Sequence, residues 1–411
     1  MKGGLEVALP LASHVRVTGA AEVEIVNRLS IQRPFPGSGW FIVLATLLSV
    51  YGCGDDGPTG SGSYQYAVPQ QTGDGWTTGD AVDHGIDLGP VGALFDRISV
   101  GLYENTHAVL IVRNGVLVIE EYFPGSSIEL GTRDWDRDML HDLHSVTKSF
   151  NSALIGIAID WGLIGSVDDK ISAYLPEYAD LFADVHKDSI QIKHLLAMTS
   201  GLYWDEWSYP YTDPRNTHVA MNQSGNPVGY VLGLPMETSP GETFLYNSGL
   251  SITLGRILHN ASGLRPDEFA AAHLFGPLGI NESYWWRYPD GTVQTGGGLY
   301  LRPRDMAKLG QLYLNGGRWG AQQLISRAWV DESVEQHAPD QGYGYQWWLE
   351  TFAVDGQVVD SYSANGRGGQ YIFVVPELEL VAVFTAGNDD ARALAPFDML
   401  ERFLLPAVLA R

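Results

Sequence analysis

The chain has 411 residues, 45% of them hydrophobic and 11% aromatic, enough for a sizeable core in one large domain or two to three ordinary ones. With 25 basic against 48 acidic residues its formal charge is −23, which excludes nucleic acid or anionic lipid as an electrostatic partner of the folded body. A single cysteine, Cys53, excludes an internal disulfide, so the compartment has to be read from targeting signals.

The amino-terminal segment carries such a signal. Trp40 to Tyr51 is a run of twelve apolar or small residues, preceded by Arg28 and Arg33 and followed by Gly52-Cys53. Twelve residues are short of the roughly twenty that a membrane helix needs, and they suit the apolar core of an export signal. The position of Cys53 resembles a bacterial lipoprotein signal, in which the cysteine is lipidated. Tyr51 is bulkier than the small residue usual there, and the stretch before Arg28 makes the whole signal long, as an over-extended start would. The expected organisation is an export signal over 1–53, a Gly/Ser-rich flexible tether over 54–75, and a catalytic body over 76–411. The protein is then exported to the periplasm or cell envelope and meets a membrane only through a lipid on Cys53.

A helix is expected over Val91–Tyr103. His107 to Phe123 reads as a hairpin, because Asn114-Gly115 joins two β-rich runs and both turn positions favour positive φ. His144 to Trp161 reads as a helix buried on most sides, since Phe150, Ala153, Leu154, Ile155, Ile157, Ala158 and Ile159 leave no polar face. Asp168 to Glu177 reads as loop and short helix, and Ile190–Met198 as a helix stopped by Thr199-Ser200-Gly201. Further helices are expected over Leu250–Ala261 and Pro303–Leu314, the latter ended by Asn315-Gly316-Gly317. Strands are expected at Tyr343–Trp348, Gln370–Val375 and Leu380–Thr385. A last helix follows from about Ala395 to Leu405, where Pro406 stops it. Strands at both ends and helices between predict an α+β fold: an antiparallel sheet made from both termini, flanked by helices, with a helical region inserted.

Chemistry points to three separated segments. Ser145 and Lys148 are three apart, which on a helix places hydroxyl and amine on one face. A serine needs a base to take its proton, and a lysine can act as one if desolvation lowers its pKa. Tyr246-Asn247-Ser248 follows Pro240-Gly241, and a tyrosine near such a pair can carry a proton between nucleophile and leaving group. Ala364-Asn365-Gly366-Arg367-Gly368-Gly369-Gln370 leads into a strand, and its glycines let a carbonyl approach backbone N–H groups as an oxyanion hole requires. Trp204, Trp207, Trp285, Trp286, Trp347 and Trp348 are mostly packing, with one or two at a cleft. His141 and His144 have no third ligand pattern beside them and read as structural. No Gly-x-Ser-x-Gly occurs, which counts against an α/β-hydrolase.

In this order and spacing the three segments resemble the serine β-lactamase-related hydrolases, the superfamily of class C β-lactamases, D-alanyl-D-alanine carboxypeptidases and related esterases. The 6-aminohexanoate-dimer hydrolase branch is the most similar. Ile192–Leu202, Pro240–Gly249, Gly296–Met306 and Gly342–Trp348 extend the resemblance across roughly Thr106 to Leu405. The resemblance implies a β-lactamase/transpeptidase-like fold and no cofactor or metal. It implies Ser145 as acylated nucleophile, Lys148 as activating amine, and Tyr246 as general base and acid. The oxyanion hole would be the N–H groups of Ser145 and Arg367, with Asn247, Ser248, Gly366, Gly368 and Trp204 binding substrate. Two departures stand out: Ala364 replaces a lysine or histidine at the start of the third motif, and Ser248 replaces an asparagine at the end of the second. Both favour a small ester, amide or peptide over a β-lactam. A carboxypeptidase or weak β-lactamase, and a non-turnover binder of a cell-wall ligand, are the alternatives.

Overall fold

The computed structural model describes residues 64–128, 130–388 and 395–409. The export signal, Cys53 and the start of the tether lie outside the described residues. The tether does not reach residue 75. The Tyr64 backbone N–H donates to Asp96 at 2.8 Å and its hydroxyl to Glu121 at 2.5 Å, while the Tyr66 hydroxyl donates to the Val118 carbonyl at 3.0 Å. Aromatic residues in a Gly/Ser-rich context anchor this stretch to the body.

One seven-stranded sheet organises the body: β1 (Thr77–Thr78), β2 (Thr106–Arg113), β3 (Val116–Tyr122), β4 (Trp348–Val354), β5 (Gln357–Gly366), β6 (Gln370–Val375) and β7 (Leu380–Ala386), in the order β1-β3-β2-β7-β6-β5-β4. All pairs are antiparallel except β1 with β3. The β2–β3 hairpin turns at Asn114 and Gly115, both at positive φ. β2 then pairs with β7, Leu380 facing Arg113 and Phe384 facing Val109, so the two ends of the chain close one sheet as expected.

Both faces of this sheet are covered. Alternation along β7 sends Val381 and Val383 to one core with Leu110, Ile372 and the inserted helices, and Leu380, Ala382 and Phe384 to another with Val109, Phe373, α1 (Leu88–Ser99) and the C-terminal run. That is why these strands read as continuous apolar runs although antiparallel. α1 starts before the expected Val91 because Asp87 caps it, accepting from Gly89 N–H at 2.8 Å, and it ends before Gly101.

The buried run after Ser145 is a 3₁₀ turn (His144–Val146) continuing into α2 (Thr147–Asp160), buried from Thr147 to Ala158. α3 (Ile192–Leu196), α4 (Thr217–Gln223), α5 (Ser248–Ser262, ended by Gly263 at φ 75°) and α6 (Pro303–Leu314) belong to the helical region. Two expectations are corrected. Tyr343–Trp347 is irregular, and a strand begins only at Trp348, because Gln346 takes φ 64° and turns the chain. Pro406 does not stop the last helix, which continues to Leu409: the turn before it is a π-turn (Leu400–Leu404), and such a local widening accommodates a residue without an N–H.

Candidate active site

The expected site residues converge where the head of α2, the head of α5 and the β5–β6 turn meet. His144, just before Ser145, holds φ 45°, a conformation uncommon for a residue with a side chain. Its N–H donates to Asp142 Oδ1 at 2.9 Å, and the N–H of Leu143 to Leu299 O at 2.9 Å. These bonds fix the turn that presents Ser145.

Lys148 is 2% exposed, and its Nζ donates to Ser145 Oγ at 2.8 Å and to the carbonyl of Gly296 at 2.5 Å. The ammonium stands 5.0 Å from the centre of the Tyr246 ring. Burial pulls the lysine pKa down to about 8, against an opposing pull from Glu206. The Tyr246 phenol hydrogen-bonds Ser145, yet burial and the nearby Glu206 carboxylate hold its pKa well above the usual tyrosine range. The two groups therefore differ in protonation: Lys148 is the one that can be neutral near physiological pH, and Tyr246 keeps its proton.

The third segment arrives by close backbone approach. A β-carbon on Gly366 would stand 2.4 Å from the carbonyl oxygen of Leu143, so only glycine lets β5 reach the Ser145 turn. Gly368 and Gly369 carry φ of 83° and 105° through the β5–β6 turn, and Gln370 Nε2 braces it on Ala386 O at 2.6 Å. The Arg367 guanidinium lies 5.0 Å above the Tyr211 ring, so its side chain points toward the 204–218 region. Ala364 is buried in β5.

Asn247 caps α5, its Oδ1 accepting from Gly249 N–H at 2.9 Å. Ser248 is buried and gives both its N–H, at 3.0 Å, and its Oγ–H, at 2.7 Å, to Glu206. Trp204 does not face the cleft. It is buried, and its Nε1–H donates to the same carboxylate at 2.7 Å. Two other tryptophans flank Tyr246: Trp207, half exposed with its ring 5.5 Å away, and Trp348, stacked at 5.8 Å. His141 Nε2 lies 2.7 Å from His107 Nδ1, while His144 rests against Asp142, so the two histidines do not converge.

Sequence reasoning missed Glu206, Tyr211 and His218. An acidic residue among aromatics in Trp204–Trp207 was the available signal, but nothing in spacing ties it to Ser248. The Gly296 carbonyl, a backbone acceptor, leaves no side-chain trace at all.

The β-lactamase family model matches residues 101–399. This chain belongs to the beta-lactamase family. Among curated relatives of this beta-lactamase-family protein, the 6-aminohexanoate-dimer hydrolase of Paenarthrobacter ureafaciens is 26% identical over 307 residues, 68% of this chain and 71% of that one. Among solved structures, the octameric penicillin-binding protein homologue from Pyrococcus abyssi is similar with a TM-score of 0.58 at 19% identity, covering 78% of each chain. EstCE1, a hydrolase with promiscuous acyltransferase activity, is similar with a TM-score of 0.59 at 17% identity, covering 75% of this chain and 96% of its own. The beta-lactamase-family fold expected from the sequence is thus present, in a group of hydrolases.

Proposed function

We propose that the protein is a serine hydrolase that cleaves an ester or amide bond through an acyl-enzyme on Ser145. The observation that carries this reading is the 2.8 Å contact between Ser145 Oγ and a buried Lys148 whose pKa is brought down to about 8. About a tenth of such lysines are neutral at pH 7, and these can take the serine proton as Oγ attacks the carbonyl carbon. The N–H groups of Ser145 and Arg367 stabilise the oxyanion. Tyr246, still protonated, gives its proton to the leaving alcohol or amine and is re-protonated from Lys148. Water then enters, loses a proton to the same relay, and releases the acid.

Buried Ala364 leaves no cation at the start of the third segment, which supports an ester, amide or peptide substrate over a β-lactam. The signal before Cys53 supports action outside the cytoplasm. The test offers p-nitrophenyl acetate and butyrate, a chromogenic cephalosporin and a D-Ala-D-Ala peptide to the wild type and to Ser145→Ala. Ester turnover lost in the variant, with an acyl adduct on Ser145 by mass spectrometry, is the expected result. Rapid cephalosporin hydrolysis would overturn the substrate preference, and a folded but inert wild type would overturn the enzyme.

A further inference from the structure

Glu206 is the most elaborately held charge near Ser145, although it touches neither Ser145 nor the cleft. It is 2% exposed. Its Oε1 accepts from Ser248 Oγ at 2.7 Å and Tyr211 OH at 2.8 Å, and its Oε2 from Trp204 Nε1 at 2.7 Å and Ser248 N–H at 3.0 Å. Two donors on each oxygen fill the acceptor sites of a carboxylate. Such a group has no free lone pair for a substrate ammonium or for a proton in transit. Its role has to be exerted through its neighbours.

Those neighbours come from every element of the site. Ser248 opens α5 immediately after Tyr246 and Asn247, Tyr211 carries the Arg367 guanidinium on its ring, and His218 of α4 places Nδ1 at 4.0 Å. Lys148 of α2, Tyr246 and Tyr288 face the carboxylate electrostatically, and Arg367 acts on Tyr211 and His218. Isolated, a buried carboxylate is costly, and it persists only where donors and cations compensate. Although burial opposes it, His218, Lys148 and the two Ser248 donors hold this carboxyl below its ordinary range, so it is an anion.

We infer that Glu206 is a positioning residue for the reaction: it ties the Tyr246-Asn247-Ser248 segment to the 204–218 region and supplies the fixed negative charge that Lys148 works against. This inference rests on the acyl-enzyme reading above. It separates two functions. The tether fixes where the phenol of Tyr246 stands, and the charge fixes at which pH Lys148 gives up its proton.

The experiment measures, from pH 5.5 to 10, kcat and KM for p-nitrophenyl acetate and the rate at which a fluorophosphonate labels Ser145, forming an O–P bond as fluoride leaves. Wild type, Glu206→Gln, Glu206→Asp, Ser248→Ala and Ser145→Ala are compared, with circular dichroism as the fold control. Glu206→Gln removes the charge that favours the ammonium, so the midpoint of the rising limb is expected to move down by roughly one pH unit. Glu206→Asp keeps the charge and is expected to keep the midpoint while kcat falls. Ser248→Ala removes the hydroxyl half of the tether and leaves the backbone N–H bond and the Glu206 charge in place: kcat is expected to fall about tenfold with KM and midpoint little changed. An unmoved midpoint in a folded Glu206→Gln, or wild-type kcat in Ser248→Ala, overturns the inference, and the second result decides it even if Glu206→Gln does not fold. A wild type that neither labels nor turns over overturns the acyl-enzyme reading itself, and this inference with it. A wild type that labels normally leaves that reading standing whatever the variants show.

Discussion

Gly366 of β5 and the carbonyl of Leu143 approach so closely that a β-carbon at residue 366 would lie 2.4 Å from the oxygen. The sheet and the Ser145 turn are therefore in direct backbone contact, and in the proposed mechanism this contact, open only to a residue without a β-carbon, sets where Arg367 N–H stands relative to Ser145. Gly366→Ala is expected to cut kcat by about a hundredfold, as loss of an oxyanion-hole donor does, and to destabilise the fold by roughly 1–3 kcal/mol. Steady-state kinetics and urea unfolding of the variant check both. Unchanged kcat would show that the β5–β6 turn does not contribute to the oxyanion hole.

Lys148 predicts the form of the pH profile. Its pKa is lowered to about 8, and the neutral form is the active one, so kcat/KM should rise with pH through a midpoint near 8 and then level. Lys148→Met should lose activity by at least about a thousandfold at every pH while still folding, because it replaces a buried amine by a chain of similar length. A profile that falls as pH rises through 8 would assign the base to another group.

Glu350 predicts a stability effect of opposite pH sense to that of a salt-bridged carboxylate. On β4, beside Ser363 and Asn365, burial raises its carboxyl pKa to about 7. Below about pH 4.5 both folded and unfolded states hold the proton. Between there and pH 7 the unfolded chain releases it more readily, so stability declines as pH rises and is flat beyond. Glu350→Gln, with Ser361 nearby to accept from the new amide, should match wild type at pH 4.5 and exceed it by roughly 2 kcal/mol at pH 8. Urea melts at the two pH values check this.

Cys53 carries the proposed lipid anchor. Expressed from the full chain in a bacterial host fed radiolabelled palmitate, the protein should label and fractionate with membranes, and Cys53→Ser should do neither. Label on the variant, or none on the wild type, would leave an ordinary export signal.

Much of the fold was legible because its signals are local. Asn114-Gly115 marks its hairpin by φ alone, and Pro303 and Asn315 bracket α6, each through backbone chemistry confined to a few residues. That Ser145, Lys148 and Tyr246 would meet was legible because hydroxyl, amine and phenol are particular residue types at fixed places in the chain. What escaped was set by tertiary contact. Trp204 was placed at the cleft, when its indole turns inward to a carboxylate that no spacing rule links to it. Tyr343–Trp347 looks like a strand by composition, yet Gln346 adopts positive φ and donates its backbone N–H to Leu196 O at 3.1 Å. Pro406 looks like a stop, but the π-turn before it lets the helix run on through it.

The pairing of Leu380 with Arg113 joins β2 and β7 across most of the chain. Until β7 has been synthesised, β2 has an open edge with a five-residue apolar run, Ala108 to Val112, and the β5–β6 turn lacks the strand that completes its sheet. Contacts this distant in sequence form slowly, and an unpaired edge is what other chains add to. A chain shortened before Leu380 should therefore aggregate rather than yield a weak enzyme. The same topology makes the assembly of the Ser145 region wait for the last strand of the sheet, however the chain is delivered.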